Sequence, residues 1–152
     1  MFKKSLILLL AYFTMLSMGL AQDESQPVMV KSKNTFEQTV AKLKSAIKEK
    51  GLAIIFEANH KNMMAMVGIE SKKSLTIGFA KPQMGNMVLS AEPRAAIEMP
   101  LRIAVRELDN GDILVIYYTP SYLFSHYKNK KLNMIAKKAD KMVKSIVQAA
   151  IN

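Results

Sequence analysis

The chain is predicted to fold as a single α+β domain: a mixed β-sheet of about four strands, helices packed on one face, and a long C-terminal helix. Three observations predict it. Residues 99–120, MPLRIAVRELDNGDILVIYYTP, read as a β-hairpin. Residues 131–150 keep apolar side chains at helical spacing through several turns. Between the leader and that helix, helix-like and strand-like stretches are interspersed without an internal repeat, which places the helices as a layer against one sheet. A chain of 152 residues is long enough to bury one such core.

Residues 1–21 read as a secretory signal peptide. Lys3 and Lys4 form a charged start, residues 6–16 are an apolar core too short for a comfortable membrane span, and Gly19-Leu20-Ala21 supplies small residues for cleavage before Gln22. The expected location is periplasmic or secreted. The absence of Cys rules out a lipoprotein anchor, disulfides, a thiolate metal site and a Cys nucleophile. Cleavage removes two lysines and no acid, lowering the formal net charge from +10 to +8. That balance favours anionic partners such as small anions or an anionic membrane surface. Nucleic acid is not expected, because no zinc-finger spacing occurs and the basic residues are not interleaved with stacking aromatics.

Residues 22–34 are polar and contain Pro27. They read as a linker, or around 28–30 as a first short strand, ahead of a domain spanning 35–152. Thr35 and Gln38 form a capping box. The helix behind it presents Phe36, Val40, Leu43 and Ile47 on one face and ends at Gly51, suited to the left-handed position after a helix. LAIIFE, residues 52–57, is a strand whose apolar run suggests a central place. Asn59 caps a short helix over 60–67, ended by Gly68. Residues 74–80 form another strand, Lys81-Pro82 turns the chain, and residues 84–97 hold short helical turns broken at Pro93.

In the hairpin, Leu101, Ile103 and Val105 alternate with Arg102, Ala104 and Arg106, so one face is apolar and the other partly polar. The return strand, residues 113–118, is apolar on both faces and belongs inside the sheet. Asp109-Asn110-Gly111-Asp112 is a turn signal, and Pro100 and Pro120 bracket the unit. Residues 121–127 form a helical turn. The last helix carries Leu132, Ile135, Ala136, Ala139, Met142, Val143, Ile146, Val147 and Ala150 on one side. Lys130, Lys131, Lys137, Lys138, Lys141 and Lys144 lie on the other, against a lone Asp140.

Taken together, GLAIIFEANH, then Lys81, Pro82, Gly85, Val88 and Leu89, then Pro93, and finally Pro100, Leu101, Arg102, Gly111, Tyr117, Pro120, Tyr122 and Leu123 make a pattern. It resembles the bacterial domain-of-unknown-function family 302 (DUF302), over about residues 36–150. The resemblance implies a compact α+β domain, a homodimer and no established enzymatic activity. It also implies a recurring histidine at His60 without the methionines beside it. One departure stands out: where the family pattern reads Phe-Gly-Asn-Pro, this chain has Phe79-Ala80-Lys81-Pro82. A ligand loop that depended on the Gly-Asn pair would be altered here.

Few side chains can carry chemistry. His60 shares a helix face with Met63 and Met64 at spacings of three and four. One imidazole and two thioethers are a soft donor set for copper(I), or for axial haem ligation, with His126 as a further ligand if the fold or a second copy brings it near. Methionines at this spacing also serve simply to fill an irregular core. Arg102 and Arg106 share a hairpin face, and Tyr117 or Tyr118 beside them can complete a pocket for an anion. Catalytic residues are not identified: there is no G-x-S-x-G elbow, no phosphate-cradling glycine loop and no histidine with a carboxylate partner by spacing. The leading expectation is an exported, non-enzymatic domain that binds a small ligand through His60, with haem or copper as candidates. The alternatives are an envelope-interaction module using the basic face of the last helix, and a hydrolase with an unusual carboxylate or tyrosine site.

Overall fold

The computed structural model describes residues 26–152. The expected signal peptide, with its cleavage point, and the first residues of the expected linker lie outside the described residues.

Five strands form one sheet: β1 (Val28–Lys31), β2 (Ala53–Asn59), β3 (Ser74–Ala80), β4 (Leu101–Glu107) and β5 (Ile113–Tyr117). Their order is β1-β5-β4-β3-β2, and every neighbouring pair is antiparallel. Two expectations are corrected here. The sheet is antiparallel throughout rather than mixed, and it has five strands rather than about four. The added strand is β1, whose alternating Val28 and Val30 reach the core beside β5.

The hairpin is at the centre as expected. β4 is the middle strand, β5 lies inside the sheet, and Gly111 takes φ +84° in the turn between them. The place of β2 is a third correction, because it forms an edge instead of the centre. An apolar run does not by itself place a strand between two others, and no residue of β2 is buried. Here a register shift between Ile54 and Phe56 bulges Ile55 outward, leaving it 56% exposed.

The helices are α1 (Phe36–Glu49), α2 (His60–Ala65), α3 (Pro82–Ala91), α4 (Pro120–Ser125) and α5 (Lys130–Ile151), with a 3-10 segment at Pro93–Glu98. The capping box forms: Thr35 Oγ1 accepts from Gln38 N at 3.2 Å, and Gln38 Oε1 accepts from Thr35 N at 3.1 Å. Gly51, at φ +67°, closes α1. Helices α1 and α5 cover one face of the sheet. Leu43 and Ile47 from α1, and Val143, Ile146 and Val147 from α5, meet Leu75, Ile77, Phe79, Ile103, Val105, Ile113 and Val115. Each fully buried aliphatic side chain there contributes about 1.5–3 kcal/mol relative to exposure. The N-terminal half of α5 builds a second cluster, with Leu132, Ile135 and Ala136 against Val88, Ala95 and Phe124. The α5 lysines remain on the exposed side.

Candidate functional site

Strand alternation fixes what the other sheet face carries. With Ile77, Ile103, Val105 and Val115 committed to the helices, the uncovered face presents Thr76 and Gly78 from β3 and Arg102, Ala104 and Arg106 from β4. β5 adds Leu114 and Ile116, and β1 adds Met29. Register sets Ala104 between Thr76 and Ile116, with Arg102 opposite Gly78 and Arg106 between Ser74 and Leu114. On β2, Phe56 pairs with Gly78 and Ala58 with Thr76.

A cleft of about 210 Å³ opens on this face, lined by Thr76, Arg102, Ala104, Ile116, Tyr118 and Leu123. It exceeds the roughly 150 Å³ that holds a benzene-sized molecule. Its floor is the small side chain of Ala104 beside Ile116. One wall is Tyr118, whose ring stacks on Tyr122 of α4 with centroids 5.1 Å apart. Arg102 is its cation. Among the described residues no carboxylate oxygen lies within 4.0 Å of either Arg102 or Arg106, although Lys31, Lys44, Lys73 and Arg94 each have such a partner.

His60 reaches this face from the first turn of α2. Asn59 caps that helix, its side chain accepting from Asn62 N at 3.0 Å. The cap turns the chain over the end of β2 and sets His60 Nε2 2.9 Å from Thr76 Oγ1. The imidazole thus meets the sheet through the threonine that borders the cleft. Either atom of the pair can donate, depending on the tautomer.

The residues singled out in the sequence fall into four groups. Arg102 lines the cleft, His60 adjoins it through Thr76, and Arg106 lies on the same face two rows along the strand, beyond Ala104. Tyr117 borders the cleft, but its side chain belongs to the main core at 8% exposure. Burial, then the nearby Asp140 carboxylate, push its phenol above the ordinary range. Tyr118 is therefore the aromatic residue of the pair that faces the cleft. Met63 and Met64 follow His60 on α2, all three on one helix, and both methionines are exposed. His126 sits in different surroundings at the end of α4. Its Nε2 is 3.9 Å from Glu98 Oε1, and its ring lies 4.0 Å from that of Tyr127. Among the described residues no group of three His, Asp or Glu side chains could hold a metal ion.

Thr76 was missed in the sequence. Its signal was faint: after Ser74 it is the one polar side chain of SLTIGFA, on the face opposite Leu75 and Ile77. A second, apolar gap lies between the two core clusters, near Met84, Met99 and Met142, but at about 40 Å³ it is too small for an organic ligand. No helix among the described residues is long and apolar enough to cross a membrane.

The family model described as Domain of unknown function DUF302 matches residues 28–150. Among solved structures, the crystal structure of an uncharacterized conserved protein DUF302 from Bacillus stearothermophilus aligns with a TM-score of 0.76 at 16% sequence identity. The alignment covers 82% of this chain and 97% of that chain. At that identity the likeness is one of fold. No curated protein matches the chain.

Proposed function

The chain belongs to the DUF302 family, and on that premise we propose that it is an exported, non-enzymatic domain that binds a small organic anion on the uncovered face of its sheet. The observation that carries this reading is Arg102: a guanidinium in a mixed apolar and polar cleft, with no carboxylate partner among the described residues. An arginine of this kind can hold a carboxylate or phosphate through two parallel hydrogen bonds. Ala104, Ile116 and the stacked Tyr118–Tyr122 pair would take an apolar or aromatic body. Thr76, positioned by His60, would add a hydroxyl. Arg106 is about 13 Å from Arg102 along the strand, so it would meet only a longer ligand.

Haem answers part of this description, being a flat apolar ligand edged by carboxylates. Axial ligation through Nε2 of His60 would cost the 2.9 Å bond to Thr76, whereas an organic anion costs nothing there. The test is a thermal-shift series of aryl and alkyl carboxylates and phosphates on the wild type and on Arg102→Ala and Arg106→Ala. The expected result is salt-sensitive stabilisation that Arg102→Ala removes and Arg106→Ala leaves largely intact. Stabilisation equal in Arg102→Ala and wild type would refute the assignment.

Two neighbouring surfaces support further proposals about partners. Exposed Ile55 and Phe56 on the edge strand favour pairing of two copies along β2; sedimentation should then show a dimer that Ile55→Lys dissociates. The six α5 lysines, none ion-paired among the described residues, favour weak adhesion to an anionic membrane surface. Binding to anionic vesicles that survives raised salt would contradict that adhesion.

A further inference from the structure

Three soft donors stand on one turn of α2, and their surroundings differ from those of ordinary core residues. His60, Met63 and Met64 occupy positions i, i+3 and i+4, which places them side by side on one helix face. Met63 is 57% exposed and Met64 38%, while Met66, off that face, is 86% exposed. Both methionines are open to solvent, Met64 the more covered of the two. No residue of α2 is buried, so these methionines fill no core.

The second observation is the bond that orients the histidine. His60 Nε2 is 2.9 Å from Thr76 Oγ1. When the ring donates from Nε2, Nδ1 carries the free lone pair. A metal-ligating histidine characteristically has its other ring nitrogen held in this way, which fixes tautomer and ring orientation. Thioethers with an imidazole suit a soft monovalent ion, and the chain has no thiolate to compete for it.

We propose that His60 Nδ1 and the sulfurs of Met63 and Met64 form a surface site for a soft monovalent cation, copper(I) or silver(I), with Thr76 as its positioning residue. The site adjoins the Arg102 cleft through Thr76 but takes no ligand atom from Arg102 and needs no anion to be bound.

The test is calorimetric titration of silver(I), a redox-inert stand-in for copper(I), into the purified protein, with native mass spectrometry for stoichiometry. One tight equivalent is expected in wild type and in Met66→Leu. The Met63→Leu/Met64→Leu variant, which preserves size and apolarity, should lose it, as should His60→Asn. Thr76→Val should weaken binding about 10- to 100-fold. Arg102→Ala should leave it unchanged, which separates this site from the anion cleft. Silver(I) uptake that is absent in wild type, or equal in wild type and the double leucine variant, overturns the proposal.

Discussion

The ring of Phe56 lies over Gly78 of the neighbouring strand, so close that a β-carbon at residue 78 would collide with Phe56 Cε1. The pair stands directly across β2 and β3. It explains why a glycine occupies a central β3 position and how an edge strand with a bulge stays in register.

Gly78→Ala should therefore displace the Phe56 ring. The expected cost is about 1–3 kcal/mol. In a Phe56→Ala background the same change should cost less, with a coupling of about 0.5–3 kcal/mol. Urea denaturation of the four-member cycle checks this, and additive costs would show that ring and glycine do not interact.

Asp140 should matter despite standing on the lysine side of α5. Its Oδ1 accepts from Ser121 N at 2.9 Å and its Oδ2 from the Ser121 hydroxyl, tying α4 to α5. Asp140→Ala strands both donors, at an expected cost of about 1–3 kcal/mol. Asp140→Asn keeps one acceptor oxygen and should cost less. A neutral alanine variant in denaturant melts would remove this tie from the account.

Stability should fall with acid. The side-chain bond from Arg94 holds Glu92 below the usual carboxylate range, as Lys73 does for Glu37 and Lys31 for Asp112. A carboxylate lowered on folding adds stability that is present above its unfolded value, about 4.3 for Glu, and is lost as pH falls through its folded value. The melting temperature should accordingly decline as pH is taken from about 5 to 3. Glu92→Gln should flatten part of that decline. A slope unchanged in Glu92→Gln would place the acid sensitivity elsewhere.

Much of the fold was legible because local signals agreed. In the hairpin, alternation, β-branched residues and an Asn-Gly turn all pointed one way, and β3 matched its expected span, Ser74–Ala80. The place of β2 was not legible. Ile55 and Phe56 look like core residues until the bulge and the contact with Gly78 are known. The site was half legible. Arg102 could be placed on a face by period two. The same rule, carried from Ile113 and Val115, puts Tyr117 in the core and Tyr118 outside. Thr76 could not be linked to His60, because that contact depends on the β2–β3 register and the Asn59 cap together.

The central claim concerns Arg102 and the cleft beside it. The most direct measurement is an amide NMR titration with phenyl phosphate, an anion carrying an aromatic body. Shifts should concentrate at Thr76, Arg102, Ala104, Ile116 and Tyr118, and Arg102→Ala should weaken binding about 10- to 100-fold, as loss of a charge-assisted hydrogen bond entails. Shifts scattered over the α5 lysines, or an affinity the same with and without the Arg102 guanidinium, would contradict it.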